Sequence, residues 1–226
     1  MKKVTIVGRN KQVVEALLVE HGFVINDKDF EFVISYGGDG TLIKAEEFHP
    51  GVPKVMLKDS YICKKCPPFT NDEILEKVKA GHFYIEEMPK ILVSVEGHEM
   101  EGLSDIVVHN KDPRHALRYR VTINGEVTHH EIIGDGIVVA TPFGSTGYYR
   151  SITHSFFEAG IGLAFNNSIE QSDHIIFNDN CVIEIEITRG PAIVYADNHE
   201  KMIEVTTGAK IRIEKGKGKG KIVVVR

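Results

Sequence analysis

The stretch "FVISYGGDGTLIKA", Phe32 to Ala45, is the most informative part of the 226-residue chain. An apolar run of the kind that forms a buried strand is followed by glycines that bracket one acid, Asp39, and then by a segment with helical spacing. In an open α/β sheet, ligands bind beyond the carboxyl ends of the strands. The stretch therefore predicts a strand, a glycine-rich binding loop and a helix that begins at Thr41.

The glycines favour a phosphate ligand. Gly37 and Gly38 can adopt positive φ and let a phosphate chain approach the backbone, and the N–H groups at the start of a helix attract an anion. A plain phosphate site would avoid a negative charge, so Asp39 needs a separate reason. A carboxylate fits here if it accepts a proton from an attacking hydroxyl or meets a metal carried with the phosphates. The simpler alternative is an Asp that caps a turn.

The sequence around this stretch predicts an α/β domain. The segments "KKVTIVG", "GFVI" and "PKVML" have the pattern of short strands, and segments with helical spacing separate them. Thr70 and Glu73 form a capping-box pattern, and Gly81 follows the predicted helix as its C-terminal cap. Strands that alternate with helices indicate a Rossmann-like parallel sheet with helices on its faces.

After about residue 84 the pattern changes to strands with period-2 alternation. Asn124-Gly125, between two alternating segments, predicts a type I′ hairpin, and one short helix is expected after Gly144. The segment "EKGKGKGK" (residues 214–221) is expected to be a flexible basic turn between the last two strands. We therefore expect an α/β domain over residues 1–84, which carries GGDGT, and a β-rich domain over residues 85–226.

The composition excludes several classes of protein. Hydrophobic residues at 42% and charged residues at 26% are ordinary globular values, and the net charge of −5 argues against a protein that coats nucleic acid. No apolar run approaches the ~20 residues of a membrane span, and the start of the chain has no signal-peptide pattern. Three cysteines do not make a disulfide framework. We expect a soluble, cytoplasmic protein of a reducing compartment, with neither nucleic acid nor membrane as a partner.

A second motif, "GDGIVVATPFGSTGYY", spans Gly134 to Tyr149. A strand is predicted to end at Thr141, Pro142 fixes the turn, and Gly144–Gly147 form a hydroxyl-rich loop that leads into a short helix. Such a loop can bond ribose and adenine edges through backbone groups and hydroxyls, and Tyr148 supplies an aromatic face. A plain helix cap is the alternative for an isolated "GST".

Together the two motifs resemble the NAD kinase family. "GGDGT" (Gly37 to Thr41) is similar to a signature that the NAD kinases share with the diacylglycerol kinases and, more loosely, the phosphofructokinases. The second motif resembles the NAD kinase pattern GDG…STPTGSTAY, which diacylglycerol kinases lack. The order of the predicted domains matches as well. The resemblance implies an NAD kinase-like fold, with the Rossmann-like domain first and the β-rich domain second.

The resemblance also implies a function. The protein would transfer a phosphoryl group from ATP, or polyphosphate, to the 2′-hydroxyl of the adenosine ribose of NAD and so make NADP, with Mg²⁺ accompanying ATP and no metal held by protein side chains alone. Asp39 would be the general base, and the phosphates would be held by Gly37, Gly38, Gly40 and Thr41. The implied dinucleotide contacts are Ser104, Asp105, Asp135, Thr146, Gly147, Tyr148 and Ser151. The resemblance further implies a homodimer or homotetramer in which Asp135 reaches the site of a neighbouring subunit.

The sequence departs from the family in three places. The usual Asn-Glu pair is replaced by Ser104-Asp105 in "GLSDIVV". The glycine-rich segment after the next strand is replaced over Lys58–Thr70, within "KVMLKDSYICKKCPPFT". The segment after the second motif is "RSITHS", in which only Ser151 matches a family serine. A different hydroxyl acceptor such as a sugar, or a catalytically silent nucleotide-binding sensor, therefore stays open beside the NAD kinase hypothesis, as does a preference for NAD over NADH.

The replaced segment contains Cys63 and Cys66, spaced as CxxC. Such a pair can bind metal or cycle as a disulfide, but Cys181 lies far along the chain and no second ligand pair is evident. We expect unremarkable loop cysteines. The lysines at 58, 64 and 65 are either candidates to meet a phosphate or simply solvated.

Overall fold

The computed structural model describes residues 1–59, 63–169 and 174–226. The chain forms two compact units, one made of Met1–Met88 with Lys219–Arg226 and the other of Pro89–Gly218. The C-terminal segment Lys219–Arg226 thus belongs to the first unit, whereas the predicted β-rich domain over residues 85–226 included it. The reason is hydrophobic burial, because Val223 and Val225 lie in the core of the first unit.

The first unit is a parallel α/β structure. Its helices and strands in chain order are β1 (Lys3–Gly8), α1 (Lys11–Glu20), β2 (Val24–Ile25), β3 (Phe32–Gly37), α2 (Asp39–Phe48), β4 (Lys54–Lys58) and α3 (Asn71–Ala80). The strand order is β2-β1-β3-β4, all parallel. The end of the last strand of the chain extends this sheet, where Ile222 pairs in parallel with Lys54.

Helices cover both faces of this sheet. Val14 and Leu18 of α1 and three apolar residues of α3 share one core with the sheet, and Ala45 of α2 packs against Val7 and Val33 in another. The predicted capping of α3 is confirmed. Thr70 and Glu73 form a capping box, and Gly81 ends the helix in the left-handed conformation. The predicted Rossmann-like arrangement is confirmed in this unit.

A buried ion pair fixes α2 on the sheet. Glu46 of α2 and Lys54 of β4 are 3% and 1% exposed and contact each other directly. Lys54 also donates to the carbonyl oxygen of His49 at 2.7 Å, and Glu46 accepts from the backbone N–H of Gly51 at 3.0 Å. Because both charges are paired and hydrogen-bonded, their burial is tolerated, and the helix that carries Asp39 is held in place.

The second unit is built from strands and one short helical segment. Its elements are β5 (Phe83–Val95), β6 (His98–Gly102), β7 (Asp105–Asn110), β8 (Leu117–Ile123), β9 (Glu126–Gly134), β10 (Gly136–Ala140), the 3₁₀ turn Gly144–Thr146, α4 (Tyr148–Thr153), β11 (Ile161–Asn166), β12 (His174–Phe177), β13 (Ile183–Arg189), β14 (Ala192–Ala196), β15 (Ile203–Val205) and β16 (Lys210–Val225). Strands β5 and β16 each continue from one unit into the other.

Two antiparallel layers enclose the core of the second unit. One contains β16-β13-β8-β9 with β5 and β6, and the other has the order β12-β11-β10-β7-β14-β15. Alternate apolar residues of both layers form one continuous core. The predicted hairpin is confirmed, since Asn124 and Gly125 join β8 to β9 with φ of 51° and 85°. The β-rich class predicted for this half is therefore confirmed.

The predicted turn at "EKGKGKGK" is wrong, because this segment lies inside the long strand β16. The Glu101 carboxylate lies against the strand and accepts from the backbone N–H groups of Lys217 and Gly218 at 2.9 and 3.0 Å. A Cβ atom on Gly218 would lie 2.5 Å from Glu101 Oε2. The glycine therefore makes room for a carboxylate and does not mark a turn.

Across the described ranges, no helix combines the length and apolar character required to cross a membrane.

Candidate active site

Asp39 lies in the first turn of α2, directly after β3. The helix begins at Asp39, two positions before the predicted start at Thr41, and Gly38 is its N-cap in an extended conformation with φ −120° and ψ −163°. The backbone N–H groups of Thr41 and Leu42 donate to the carbonyl oxygen of Gly38 at 3.0 and 3.2 Å. A carboxylate in this position is stabilised by the positive end of the helix dipole.

The glycine at position 37 is needed for space. The predicted use of positive φ at Gly37 and Gly38 is wrong, since neither residue has it. A Cβ atom on Gly37 would lie 2.2 Å from the Thr41 hydroxyl oxygen. Any side chain at this position would push the first turn of α2 away from β3 and move Asp39 with it.

The replaced segment contacts Asp39 directly. The backbone N–H of Lys65 donates to Asp39 Oδ1 at 3.0 Å, and that of Lys64 donates to Oδ2 at 3.1 Å. The sulfur of Cys63 lies 3.2 Å from Oδ1. Both carboxylate oxygens are therefore held by the loop. No local pattern predicts this contact, because the partners are separated from Asp39 by more than twenty positions. Residues 60–62 of the segment lie outside the described residues.

Cys63 and Cys66 form a disulfide. The expectation of unremarkable loop cysteines is therefore wrong. Cys181 is buried as a free thiol in the second unit, and burial raises its pKa. Over residues 1–59, 63–169 and 174–226, no three His, Cys, Asp or Glu side chains lie together as a metal cluster, so the zinc alternative gains no support.

The two loop lysines differ in environment. Lys64 is exposed, whereas Lys65 is partly buried. Burial lowers the pKa of Lys65, and Asp39 and Glu86 act in the opposite direction. Whether Lys64 meets a phosphate stays a prediction, while Lys65 lies close enough to the Asp39 carboxylate for the two charges to interact.

Two further polar residues lie at the same edge of the parallel sheet. Asn10 follows β1 and donates to Asp59 Oδ2 at 2.8 Å, and Asp59 follows β4. Burial and then the nearby Asp59 raise the pKa of Tyr36 on β3. Sequence reasoning missed Asn10 and Asp59, although the rule that directed attention to Asp39, the carboxyl ends of parallel strands, applies to both.

In the second unit, Ser104 and Asp105 form a buried pair at the start of β7. The Ser104 hydroxyl donates to Asp105 Oδ2 at 2.8 Å. Asp197, which follows β14, accepts from three backbone N–H groups: Leu103 at 2.8 Å, Ser104 at 2.7 Å and Asp105 at 3.0 Å. Asp197 was not predicted, and its position more than ninety residues from the pair explains why.

The two acids Asp105 and Asp197 share one buried region. Burial, followed by the charge of Asp197, raises the pKa of Asp105 to about 7, and the Ser104 bond opposes this only in part. Burial also raises the pKa of Asp197, but its three backbone N–H bonds act in the opposite direction. The three N–H donors favour the charged form of Asp197, whereas Asp105 has the Ser104 hydroxyl as its donor and takes up a proton as the pH falls through about 7.

A pH dependence of stability follows from the raised pKa of Asp105. A group whose pKa is higher in the folded state binds protons more tightly there. Its contribution to the free energy of unfolding is therefore full below about pH 4 and is lost as the pH rises through about 7. We expect Asp105→Asn to raise the melting temperature more at pH 8 than at pH 4.5.

Thermal melts across this range test the prediction, with Asp112→Asn as the control. Hydrogen bonds from Arg114 lower the pKa of the partly exposed Asp112, so its replacement should have a small effect of the opposite sign. A melting-temperature difference for Asp105→Asn that does not grow with pH would contradict the assignment of the proton to Asp105.

The loop after β10 packs against the Ser104-Asp105 pair. The backbone N–H of Thr141 donates to the carbonyl oxygen of Ser104 at 2.9 Å, and the Thr141 hydroxyl donates to that of Leu103 at 2.7 Å. A Cβ atom on Gly144 would lie 2.0 Å from the Ser104 carbonyl oxygen. Only glycine permits this approach. Ser145 is fully buried, and its hydroxyl donates to the carbonyl oxygen of Phe157 at 2.9 Å, so this serine is structural.

Tyr148 lies on the same side of the sheet as Asp105. Its hydroxyl oxygen accepts from Asn166 Nδ2 at 3.0 Å, and burial raises its pKa. The neighbouring Tyr195 has its pKa raised to about 12, first by burial and then by Tyr148 and Asp105. Ser151 is exposed, and its hydroxyl donates to the carbonyl oxygen of Tyr148 at 2.7 Å. The tyrosines provide an aromatic surface beside the buried acids.

Asp135 lies at the opposite end of this surface. Ala140 at the end of β10 pairs with Asp105, and Asp135 directly precedes β10; five residues of strand correspond to roughly 17 Å. The carboxylate of Asp135 accepts from Asn167 at 2.9 Å and from Asn110 at 3.3 Å. Within one chain, Asp135 is therefore well separated from Asp105.

The family model described as the ATP-NAD kinase C-terminal domain matches residues 103–225. The chain belongs to the ATP-NAD kinase family. Among curated relatives named NAD kinase, one from Pyrococcus abyssi (strain GE5 / Orsay) is 24% identical over 208 residues, which cover 88% of this chain and 75% of that protein. One from Saccharolobus islandicus (strain M.14.25 / Kamchatka #1) is 32% identical over 135 residues, which cover 59% of this chain and about half, 53%, of that protein.

Solved structures of the NAD kinase family have the same fold. Yeast NADH kinase complexed with NADH aligns with a TM-score of 0.85 at 14% identity, covering 100% of this chain and 84% of that chain. An NAD kinase from Archaeoglobus fulgidus in complex with ATP aligns with a TM-score of 0.80 at 21% identity, covering 98% of this chain and 93% of that chain. These alignments confirm the predicted NAD kinase-like fold class.

The two NAD kinase motifs thus lie in two described clusters. In the first unit the glycines of GGDGT bring Asp39 to the start of α2. In the second unit the structure brings together Ser104, Asp105, the loop up to Gly147, and Tyr148. At the end of this loop Thr146 is partly exposed and Gly147 is exposed. The residues that sequence reasoning missed are Asn10, Asp59, Asn166, Tyr195 and Asp197.

Proposed function

We propose that the protein is an NAD kinase, which transfers the γ-phosphoryl group of ATP to the 2′-hydroxyl of the adenosine ribose of NAD and forms NADP and ADP. The observation that carries the proposal is the carboxylate of Asp39, fixed at the start of α2 within GGDGT. Membership in the ATP-NAD kinase family supports the choice of acceptor. The NAD kinase names of the relatives support it as well.

Asp39 is the general base in this mechanism. It accepts the proton of the 2′-hydroxyl as that oxygen attacks the γ-phosphorus, and the bond from phosphorus to the bridging oxygen of ADP breaks. Gly37, Gly38 and Gly40 present no side chains at the phosphates, and Thr41 follows in the same helical turn. Catalysis of this kind depends on positioning and electrostatics.

Mg²⁺ fits this chemistry as a companion of ATP. No cage of three protein ligands is present in the described part of the chain, whereas Asp59, which follows the strand beside β3, offers an oxygen ligand of the kind that Mg²⁺ accepts together with phosphates. Asp59 would hold the ion from the protein side, and Asp39 would act as the base. When bound, Mg²⁺ supplies positive charge that offsets the charge of the phosphate oxygens.

The second unit binds the dinucleotide in this proposal. Asp105 offers its carboxyl group to the dinucleotide, and Ser104 supplies a hydroxyl. Backbone and hydroxyl groups at Thr146, Gly147 and Ser151 contact the ribose and adenine, and Tyr148 offers its ring. Since NAD and ATP are metabolites of the cell interior, we place the protein in the cytoplasm.

The proposed oligomer is a homodimer or homotetramer in which Asp135 serves the site of a neighbouring subunit. The resemblance of the second motif to the NAD kinase pattern is the basis of this arrangement, since Asp135 also acts on Tyr148 within one chain. We expect Asp39→Asn and Asp135→Ala chains, each with little activity alone, to regain activity when they are refolded together. Random mixing of dimers would restore about a quarter of the wild-type rate. A mixture no more active than its separate components, or an active monomer in sedimentation, would contradict the shared site.

The test of the activity is the formation of NADP from NAD, ATP and Mg²⁺, detected with an NADP-specific dehydrogenase. NADH and simple sugars serve as alternative acceptors in parallel reactions. A protein that phosphorylates a sugar and not NAD would show that Ser104-Asp105 and the Lys58–Thr70 segment have redirected the fold to another acceptor. A protein that binds the nucleotides without turnover would support the sensor alternative.

A further inference from the structure

The disulfide between Cys63 and Cys66 closes the turn that holds Asp39. The backbone N–H groups of the two residues between the cysteines, Lys64 and Lys65, each donate to a different carboxylate oxygen of Asp39. Within the turn, the backbone N–H of Cys66 contacts the Cys63 sulfur at 3.1 Å. The proposed phosphoryl transfer requires neither cysteine, so the position of the disulfide against the base needs its own explanation.

We propose that Cys63 and Cys66 are a reversible thiol–disulfide modification site that controls Asp39. The proposal rests on the proposed function of Asp39 as the base. In the disulfide form, two N–H groups of a closed turn occupy one lone pair on each carboxylate oxygen, an arrangement that binds an anion. These charge-assisted bonds stabilise the carboxylate and restrict its approach to a substrate hydroxyl. The disulfide form is therefore the slow form of the enzyme.

Reduction by a dithiol reverses this state. A thiolate of the dithiol attacks one sulfur of the pair and forms a mixed disulfide, and its second thiol then displaces that sulfur. Two electrons pass from the dithiol to the cysteines, its two protons end on the released sulfurs, and the dithiol becomes a cyclic disulfide. Both cysteines are partly exposed, so they are accessible to the reductant. Without the covalent closure, the turn can open and release the N–H groups of Lys64 and Lys65 from Asp39.

The small size of the closed loop supports a switch over a structural cross-link. Cytoplasmic disulfides of mesophiles are as a rule transient, catalytic or redox-sensing, whereas those of hyperthermophiles can be structural. The loop closed by this bond contains only two intervening residues, so its effect on the entropy of the unfolded chain is small. The third cysteine, Cys181, is buried in the other unit and offers an internal control.

The rate of NADP formation in buffers of reduced and oxidised dithiothreitol tests the proposal. We expect kcat to rise about tenfold on reduction, as expected when charge-assisted hydrogen bonds to the base are released. The midpoint of the rise in kcat should lie in the same buffer as the midpoint of the change in thiol content. That content, counted on denatured samples, changes from one reactive thiol to three on reduction. The double variant Cys63→Ser, Cys66→Ser should keep the fast rate in every buffer, and Cys181→Ser should respond like the wild type.

Equal rates for the two forms, with their thiol content verified by mass, would overturn the proposal. So would a double variant that still responds to the buffer. Hydrogen exchange of the Lys64 and Lys65 amides provides a readout that does not depend on activity, and it should be at least about tenfold slower in the disulfide form. A reduced protein that makes no NADP would contradict the proposed function. Equal amide exchange of Lys64 and Lys65 in the reduced and disulfide forms would overturn the modification site, whether or not NADP is made.

Discussion

Replacing Asp39 with Asn is expected to lower kcat by roughly 10²–10⁴-fold, the usual contribution of a general base. The amide has nearly the same shape as the carboxylate but accepts no proton. Its oxygen can still accept from one of the two loop N–H groups, so the turn over residues 63–66 loses one contact and the fold is kept. We therefore expect a large fall in kcat, small changes in the KM for ATP and NAD, and a nearly unchanged melting temperature.

Steady-state kinetics on the reduced protein measure this effect. Asp72→Asn is the matched control, because Asp72 is also an aspartate in the first turn of a helix, α3, and is exposed away from the site. It should keep the wild-type rate. If Asp39→Asn keeps most of its kcat, Asp39 is a structural or metal-binding acid and the proposed mechanism is wrong.

The second large effect is expected for Asp197→Ala. The carboxylate of Asp197 accepts from the backbone N–H groups of Leu103, Ser104 and Asp105, all of them buried. Its removal leaves three buried donors without their acceptor, and each such donor costs about 1–3 kcal/mol. We expect the free energy of unfolding to fall by at least about 3 kcal/mol. The KM for NAD should rise, because the segment that presents Ser104 and Asp105 is no longer fixed.

Urea unfolding followed by circular dichroism measures the loss of stability, and titration with NAD measures binding. Glu204→Ala is the control, since Glu204 forms a half-exposed ion pair with Lys111 at the neighbouring strand β15. An exposed pair contributes at most about 1 kcal/mol. Asp197→Asn, which keeps an acceptor oxygen, should lie between the wild type and Asp197→Ala. A stability loss for Asp197→Ala no greater than that of Glu204→Ala would contradict the role assigned to this carboxylate.

Local patterns in the sequence predicted most of the fold. The capping box at Thr70 and Glu73 and the hairpin at Asn124-Gly125 depend on neighbouring residues, and both form as expected. The glycines of "EKGKGKGK" misled the prediction because a glycine permits a turn without requiring one. In the structure they lie in a strand that pairs with other strands, and two of its N–H groups bond the carboxylate of Glu101, which lies more than one hundred positions away.

The same distinction applies to the candidate site. Asp39 could be predicted because its glycines and its helix are adjacent in sequence. The disulfide turn that holds it and the buried Asp197 could not, since their contacts depend on tertiary packing between distant segments. The turn contacts Asp39, and Asp197 contacts the segment that carries Ser104 and Asp105. A pattern of consecutive residues contains no information on contacts between such distant segments.

We propose that this chain phosphorylates the 2′-hydroxyl of NAD with Asp39 as the base. The most direct measurement is ³¹P NMR of the product after reduced protein is incubated with NAD, ATP and Mg²⁺, with Asp39→Asn as the parallel sample. We expect a new phosphomonoester on the 2′ position of the adenosine ribose, with matching formation of ADP, in the wild-type sample only. ADP formation without this phosphomonoester, or the same product at an equal rate from Asp39→Asn, would contradict it.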